Sequence, residues 1–130
     1  MNRTLCIASC VTLLASGAAG AAGGATLYSM QATARCVTHA GGKFGPVRRT
    51  DTRRIAFSDL AQRTSREARF GRRSFLLAFT RGTAEARSLR ETLVVPDDPY
   101  VLRVKSNVVL MYRPADATAL RKTVRCLRSA

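Results

Sequence analysis

The four cysteines divide into two pairs with different fates, and that division constrains this chain more than any other feature. Cys6 and Cys10 lie in an uncharged N-terminal stretch, while Cys36 and Cys126 lie near the two ends of everything that follows. Arg3 is the only charge before Arg35, residues 5–15 are apolar, and residues 16–25 are Gly, Ala and Ser. A charged start, a short apolar core and a small-residue exit are the three parts of a secretory signal. Ala19-Gly20-Ala21 and Gly23-Gly24-Ala25 both fit the small-x-small cleavage rule. The expected organisation is a signal peptide over residues 1–25 and one small domain over residues 26–130, periplasmic or secreted. Two other readings compete. Ile7-Ala8-Ser9-Cys10 resembles a bacterial lipobox, which would make Cys10 a lipid-bearing N-terminus. Residues 4–34 are uncharged and long enough for an uncleaved anchor, since a bilayer needs roughly 20 residues.

In an exported chain, two remaining cysteines imply pairing. A Cys36–Cys126 bridge would close a loop of about 90 residues, contributing on the order of 4–5 kcal/mol in the chain-entropy model. The competing reading is a metal site on Cys36-Val37-Thr38-His39. Zinc normally needs three or four protein ligands, and His39 is the only histidine. No metal and no small-molecule cofactor is expected.

Local signals place the elements. Residues 26–38, rich in Thr, Val and Tyr, read as a strand carrying Cys36. Gly41-Gly42 and Gly45-Pro46 mark a loop, and residues 54–57 a short strand. Ser58 reads as the N-cap of a helix running to Gly71, about 58–70. Its wheel places Phe57, Leu60, Ala61, Thr64 and Ala68 on one arc and Arg63, Arg66, Arg69 and Arg73 on the other. Residues 74–80 read as a buried strand with Phe75, Leu77 and Phe79 on one face. Residues 81–87 read as a loop or helical turn, and residues 89–95 as a strand. Pro96-Asp97-Asp98-Pro99 is a turn. Residues 100–105 and 108–112 read as strands joined at Ser106-Asn107. Pro114 opens a C-terminal amphipathic helix, about 114–128, where its missing N–H is harmless. On that wheel Leu120, Thr123, Val124, Cys126 and Leu127 face inward, and Arg121, Lys122, Arg125 and Arg128 face outward with no acid among them. The expected fold is α+β: a mostly antiparallel sheet of four to six strands with two helices, its termini tied by one disulfide.

Charge points to partners. The chain carries 22 Lys and Arg against 8 Asp and Glu, a net charge of +14. Such a field favours anionic partners. The two expected basic helix faces, Arg121/Lys122/Arg125/Arg128 and Arg63/Arg66/Arg69/Arg73, are the candidate anion-binding residues. The partner would be an anionic polymer, a membrane surface or an acidic protein. Nucleic acid fits only without sequence specificity, because exposed aromatics that stack bases are missing from the charged segments.

Catalytic patterns are weak. No G-x-S-x-G elbow surrounds any serine, and Gly41-Gly42-Lys43-Phe44-Gly45 lacks P-loop spacing. Asp97-Asp98 are adjacent in a turn, whereas a glycosidase needs carboxyl groups facing each other across its substrate. A ribonuclease-like reading would take Glu67, Glu85 or Glu91 as base and His39 as acid. No residue is assigned a catalytic role. An accessory subunit or inhibitor, contacting its partner through a sheet edge or the turn at residues 96–99, is a second class of binding function.

Overall fold

The structure is a computed structural model that describes residues 26–130. The signal peptide, its cleavage site, Cys6 and Cys10 lie outside the described residues, as does most of the stretch read as a possible anchor. Among the described residues no helix is long and apolar enough to cross a membrane.

The fold is α+β, with an antiparallel five-stranded sheet and helices on both faces. In chain order the elements are α1 (Met30–His39), β1 (Lys43–Gly45), α2 (Thr52–Ala61), β2 (Ser65–Phe70), β3 (Arg73–Phe79), α3 (Thr83–Leu93), β4 (Val101–Lys105), β5 (Val108–Tyr112) and α4 (Leu120–Arg125). A 3₁₀ turn, Gln62–Thr64, follows α2, and a longer one, Pro114–Ala119, leads into α4. The strand order is β1-β2-β3-β5-β4.

β3 and β5 form the centre, and helices cover both of their faces. That is why they read as unbroken apolar runs: every residue of β5, and all of β3 after Arg73, is buried. Phe75, Leu77, Phe79, Val108, Leu110 and Tyr112 face α1 and α4, against Val37, Cys126 and Leu127. Leu76, Ala78, Val109 and Met111 face α2 and α3, against Phe57, Ala61, Ala86 and Leu93. The register Leu77↔Leu110 and Leu76↔Met111 keeps each set on its own side.

Cys36 and Cys126 are bonded, their Cα atoms 5.2 Å apart. The staple joins α1 to the residue that ends α4, so it links two helices of one layer and not a strand to a helix. The Ser29 N–H also donates to the Arg128 carbonyl at 2.6 Å. Asn107, buried in the β4–β5 turn, accepts from the Tyr28 N–H at 2.7 Å and donates to the carbonyls of Tyr28 (3.1 Å) and Thr80 (2.9 Å). The N-terminal segment is thereby tied to both the sheet and the C-terminus.

The strands at 74–80, 100–105 and 108–112, the turns between them and the helical C-terminus are where the sequence places them, the last beginning as a 3₁₀ turn. Five elements differ. Within the stretch read as a loop, residues 43–45 form the edge strand β1, paired with β2. Residues 26–38 are not a strand: 30–39 is α1, started by the Ser29 side chain accepting from the Ala32 N–H, with Thr33 and Val37 as its buried stripe. Threonine and valine suggested a strand, but cap and packing outweigh that preference. Residues 54–57 are not a strand, because helix α2 begins at Thr52, where the Asp51 carboxylate accepts from the Arg54 N–H at 2.8 Å. That helix ends at Ala61 and not near residue 70, as Gln62 turns to φ +43°. Residues 65–70 then pair with β3, Phe70 opposite Arg73, so Gly71 (φ +60°) makes a two-residue hairpin and not a helix stop. Residues 89–95 are not a strand either: Ala86, Leu89 and Leu93 recur at helical spacing and place α3 on the sheet.

Candidate anion-binding site

α1 and α4 form an outer layer that carries cations without carboxylates. No Asp or Glu occurs between residues 26 and 50, or after Asp116. Within those limits Arg35 on α1 and Arg121, Lys122, Arg125 and Arg128 on or after α4 are all exposed; Lys43 on β1 is exposed too, but it faces the other side because its neighbour Phe44 points into this layer. The first predicted group is therefore assembled on one side, as the wheel implied. The reason is that Thr123, Cys126 and Leu127 are drawn into the core and turn the basic residues outward. Lys122 Nζ lies 5.5 Å from the centroid of the Phe70 ring on β2, an exposed cation–π contact at the rim of the layer.

The second predicted group does not form a helix face. Arg63 is exposed on the 3₁₀ turn after α2. Arg66 and Arg69 stand on β2, where residues three apart point to opposite sides. Arg66 donates to the carbonyls of Arg63 (3.1 Å) and Ser65 (2.7 Å). Arg73, at the start of β3, lies 3.6 Å from the Asp116 carboxylate and donates to the Ala115 carbonyl, holding the 3₁₀ turn before α4. Arg66 shares the α1/α4 face of the sheet with Ala68 and Phe70, and Arg73 is brought beside α4 through Phe70 opposite it in the hairpin.

The opposite layer holds a charge cluster that sequence reading missed. Glu67 on β2 is 1% exposed and points toward α2. It accepts from the Arg48 N–H (2.9 Å), from the Arg48 guanidinium (3.0 and 2.8 Å to one oxygen), from Arg54 Nη1 (3.0 Å) and from the Ser74 hydroxyl (2.8 Å). Arg54, itself buried, also donates to Ser74 Oγ at 2.7 Å. Burial alone would raise the Glu67 pKa. The Arg48 side chain and N–H, the Ser74 hydroxyl and the Arg54 charge outweigh it and hold the carboxyl at about 2. Beside it, Asp51 caps α2 and accepts from the Tyr100 hydroxyl at 2.5 Å, and Arg113 lies over the Tyr100 ring, 5.3 Å from its centroid. Burial pushes the Asp51 carboxyl up, but the Tyr100 and Arg54 N–H bonds and the Arg54 and Arg113 charges bring it below its ordinary value.

This geometry bears on chemistry. A carboxylate saturated with donors and ionised well below neutral pH exchanges no proton at pH 7. His39 ends α1 in the layer across the sheet from Glu67, and Glu85 and Glu91 lie exposed on α3. The structure brings none of these together with His39. The Cys36 sulfur of the Cys-x-x-His pattern is in the disulfide, and among the described residues no cluster of three or more metal-ligating side chains occurs. Asp98 pairs with Arg53 through two bonds, 3.2 and 2.7 Å, and accepts from the Tyr100 N–H, so that carboxylate braces a turn. Gly42 is fixed by packing: a Cβ there would lie 2.7 Å from the Phe70 ring and 2.8 Å from Val37. Phe75, Phe79, Tyr100 and Tyr112 are buried.

Only a hairpin reading of Gly71 would have exposed the Glu67 cluster. That turn puts Glu67 and Ser74 on one face of neighbouring strands. The chain matches no protein-family model, no curated protein and no solved structure.

Proposed function

We propose that this chain is an exported basic binding domain that engages an anionic surface or an acidic partner through its α1/α4 layer. The observation that carries this reading is the separation of charge. Arg35, Arg121, Lys122, Arg125 and Arg128 share one layer, while Asp51, Asp59, Glu67 and Asp98 are engaged in ion pairs on the α2/α3 side and Asp116, before α4, is taken up by Arg73. Each basic residue near an anionic surface contributes roughly 1 kcal/mol, so a layer of this kind supports useful binding where scattered cations do not. The apolar side of α4 is committed to the core, which favours an electrostatic contact over bilayer insertion. A ribonuclease-like activity draws less support, since Glu67 and His39 lie on opposite sides of the sheet.

The test is retention on a heparin column or on anionic vesicles, read against salt. Retention at low ionic strength that is abolished by moderate salt is expected, because exposed contacts are screened. Replacing Arg121, Lys122, Arg125 and Arg128 by Gln should move elution to clearly lower salt. An unretained wild-type protein, or a variant that elutes with it, would overturn the reading.

A further inference from the structure

A cleft of about 410 Å³ opens at the end of the sheet where β2, β3, β5 and β4 meet the start of α2. Its lining includes none of the basic residues of α1 and α4. Guanidinium groups reach it from four separate segments: Arg48 before α2, Arg54 within α2, Arg72 in the β2–β3 hairpin and Arg113 after β5. Arg54 and Ser74 are its buried floor and are already saturated by Glu67 and by each other. The Asp116 carboxylate also lines it, but is largely covered and paired with Arg73.

Donors nevertheless remain. Arg72 makes no ion pair and no side-chain hydrogen bond among the described residues. Arg48 is half-exposed and gives Glu67 only Nε and Nη2, leaving Nη1 without a hydrogen-bond partner among the described residues. Arg113 is 60% exposed, and its one ion-pair contact, to Asp51, is long at 3.4 Å. Arg113 is also held in place by the Tyr100 ring beneath it. Thr50, exposed, also lines the cleft.

We infer that this cleft binds a phosphoryl group, with Arg72, Arg113 and the free edge of Arg48 as its ligands and Thr50 as a fourth donor. Arginine presents a rigid fork of N–H groups suited to such oxygens. A planar carboxylate offers two oxygens and is satisfied by one fork. Two free forks and the remaining edge of Arg48, arriving from three segments, match the several terminal oxygens of a tetrahedral dianion. The volume exceeds that of the anion itself, so the phosphoryl group of a small monoester fits as well as free phosphate.

Calorimetric titration of the disulfide-bonded protein with inorganic phosphate, glycerol phosphate and acetate, at constant ionic strength, tests this. Saturable binding of phosphate or its ester, at least about tenfold tighter than acetate, is expected. Whichever phosphate compound binds more tightly identifies the source, free anion or ester. Arg72→Gln with Arg113→Gln should weaken that binding by about tenfold or more, with an unchanged melting temperature because both side chains are exposed. The variant with Gln at 121, 122, 125 and 128 should bind as wild type does, which separates this site from the polyanion layer. No saturation below about 10 mM, acetate binding as tightly as phosphate, or equal affinity in the Arg72/Arg113 variant would overturn the assignment.

Discussion

The two helical layers are built from the same arginine-rich sequence but held to the sheet by different physics. The α1/α4 layer sits on the sheet through an apolar seam, its two helices are tied to each other by a covalent bond, and its charges are all of one sign and all outside. The α2/α3 layer has no covalent link. It sits on the sheet through Phe57, Ala61, Ala86 and Leu93, and through a buried carboxylate that draws Arg48 and Arg54 inward. Buried charge thus helps hold the structure on one side of the sheet, while on the other all the charge is outside. Surface ion pairs contribute little, whereas breaking a buried one leaves an uncompensated charge in low dielectric. Eight carboxylates cannot neutralise both layers, and most of those engaged in ion pairs lie with α2 and α3.

The comparison can be broken from either side. The largest loss is expected when the staple is removed. Cys36→Ser with Cys126→Ser should cost about 4–5 kcal/mol, since the bond closes a long loop, measured by urea unfolding against the oxidised protein. Glu67→Gln comes next, at about 3–5 kcal/mol, because it strands Arg54 in the core.

Acid offers a route to the same side without mutation. The Glu67 pKa is lowered from 4.5 to about 2 in the fold. Its contribution is therefore complete above the unfolded value, and it is lost as pH falls from about 4.5 toward 2. The loss is about 3 kcal/mol, and Asp51 adds in the same direction. Unfolding midpoints recorded from pH 6 to pH 2 should drop in that window, and the drop should shrink in Glu67→Gln. Because the two fastenings lie in different layers, reduction and acid should act additively. A coupled response would mean that the layers do not behave independently.

Smaller effects sharpen the contrast. Thr123, buried against the sheet, has a hydroxyl without a hydrogen-bond partner. Thr123→Val keeps the shape and removes that oxygen, so it should stabilise the α1/α4 side by about 1 kcal/mol in thermal unfolding. The smallest change in stability, within about 0.5 kcal/mol, is expected for Gln at 121, 122, 125 and 128, even as polyanion retention falls. A large loss of stability there would show that those cations hold the fold.

Legibility from the sequence followed the physics of each segment. β5 and most of β3 are buried on both faces, so their apolar runs could not be read otherwise. The turns carried their own signals in Gly, Pro, Asn and Asp. Residues 52–70 misled because helix and strand compete there without a clear stripe. Arg54 and Glu67 are inside although both are charged, and a charged residue gives no local sign of being paired with a distant segment. The α4 cations were legible because Cys126 fixes the buried side of that helix. The cleft was not, as its arginines come from four segments up to 65 positions apart in the chain.

What the sequence determined by itself was local or compositional: an α+β chain, a pairing of the only two cysteines outside the signal-like stretch, an excess of cations, and an amphipathic end. The tertiary structure decided which charges are neutralised. That depends on sheet register and on which helix covers which face, because an ion pair forms where low dielectric and short distance coincide, and neither is a property of neighbouring residues in the chain.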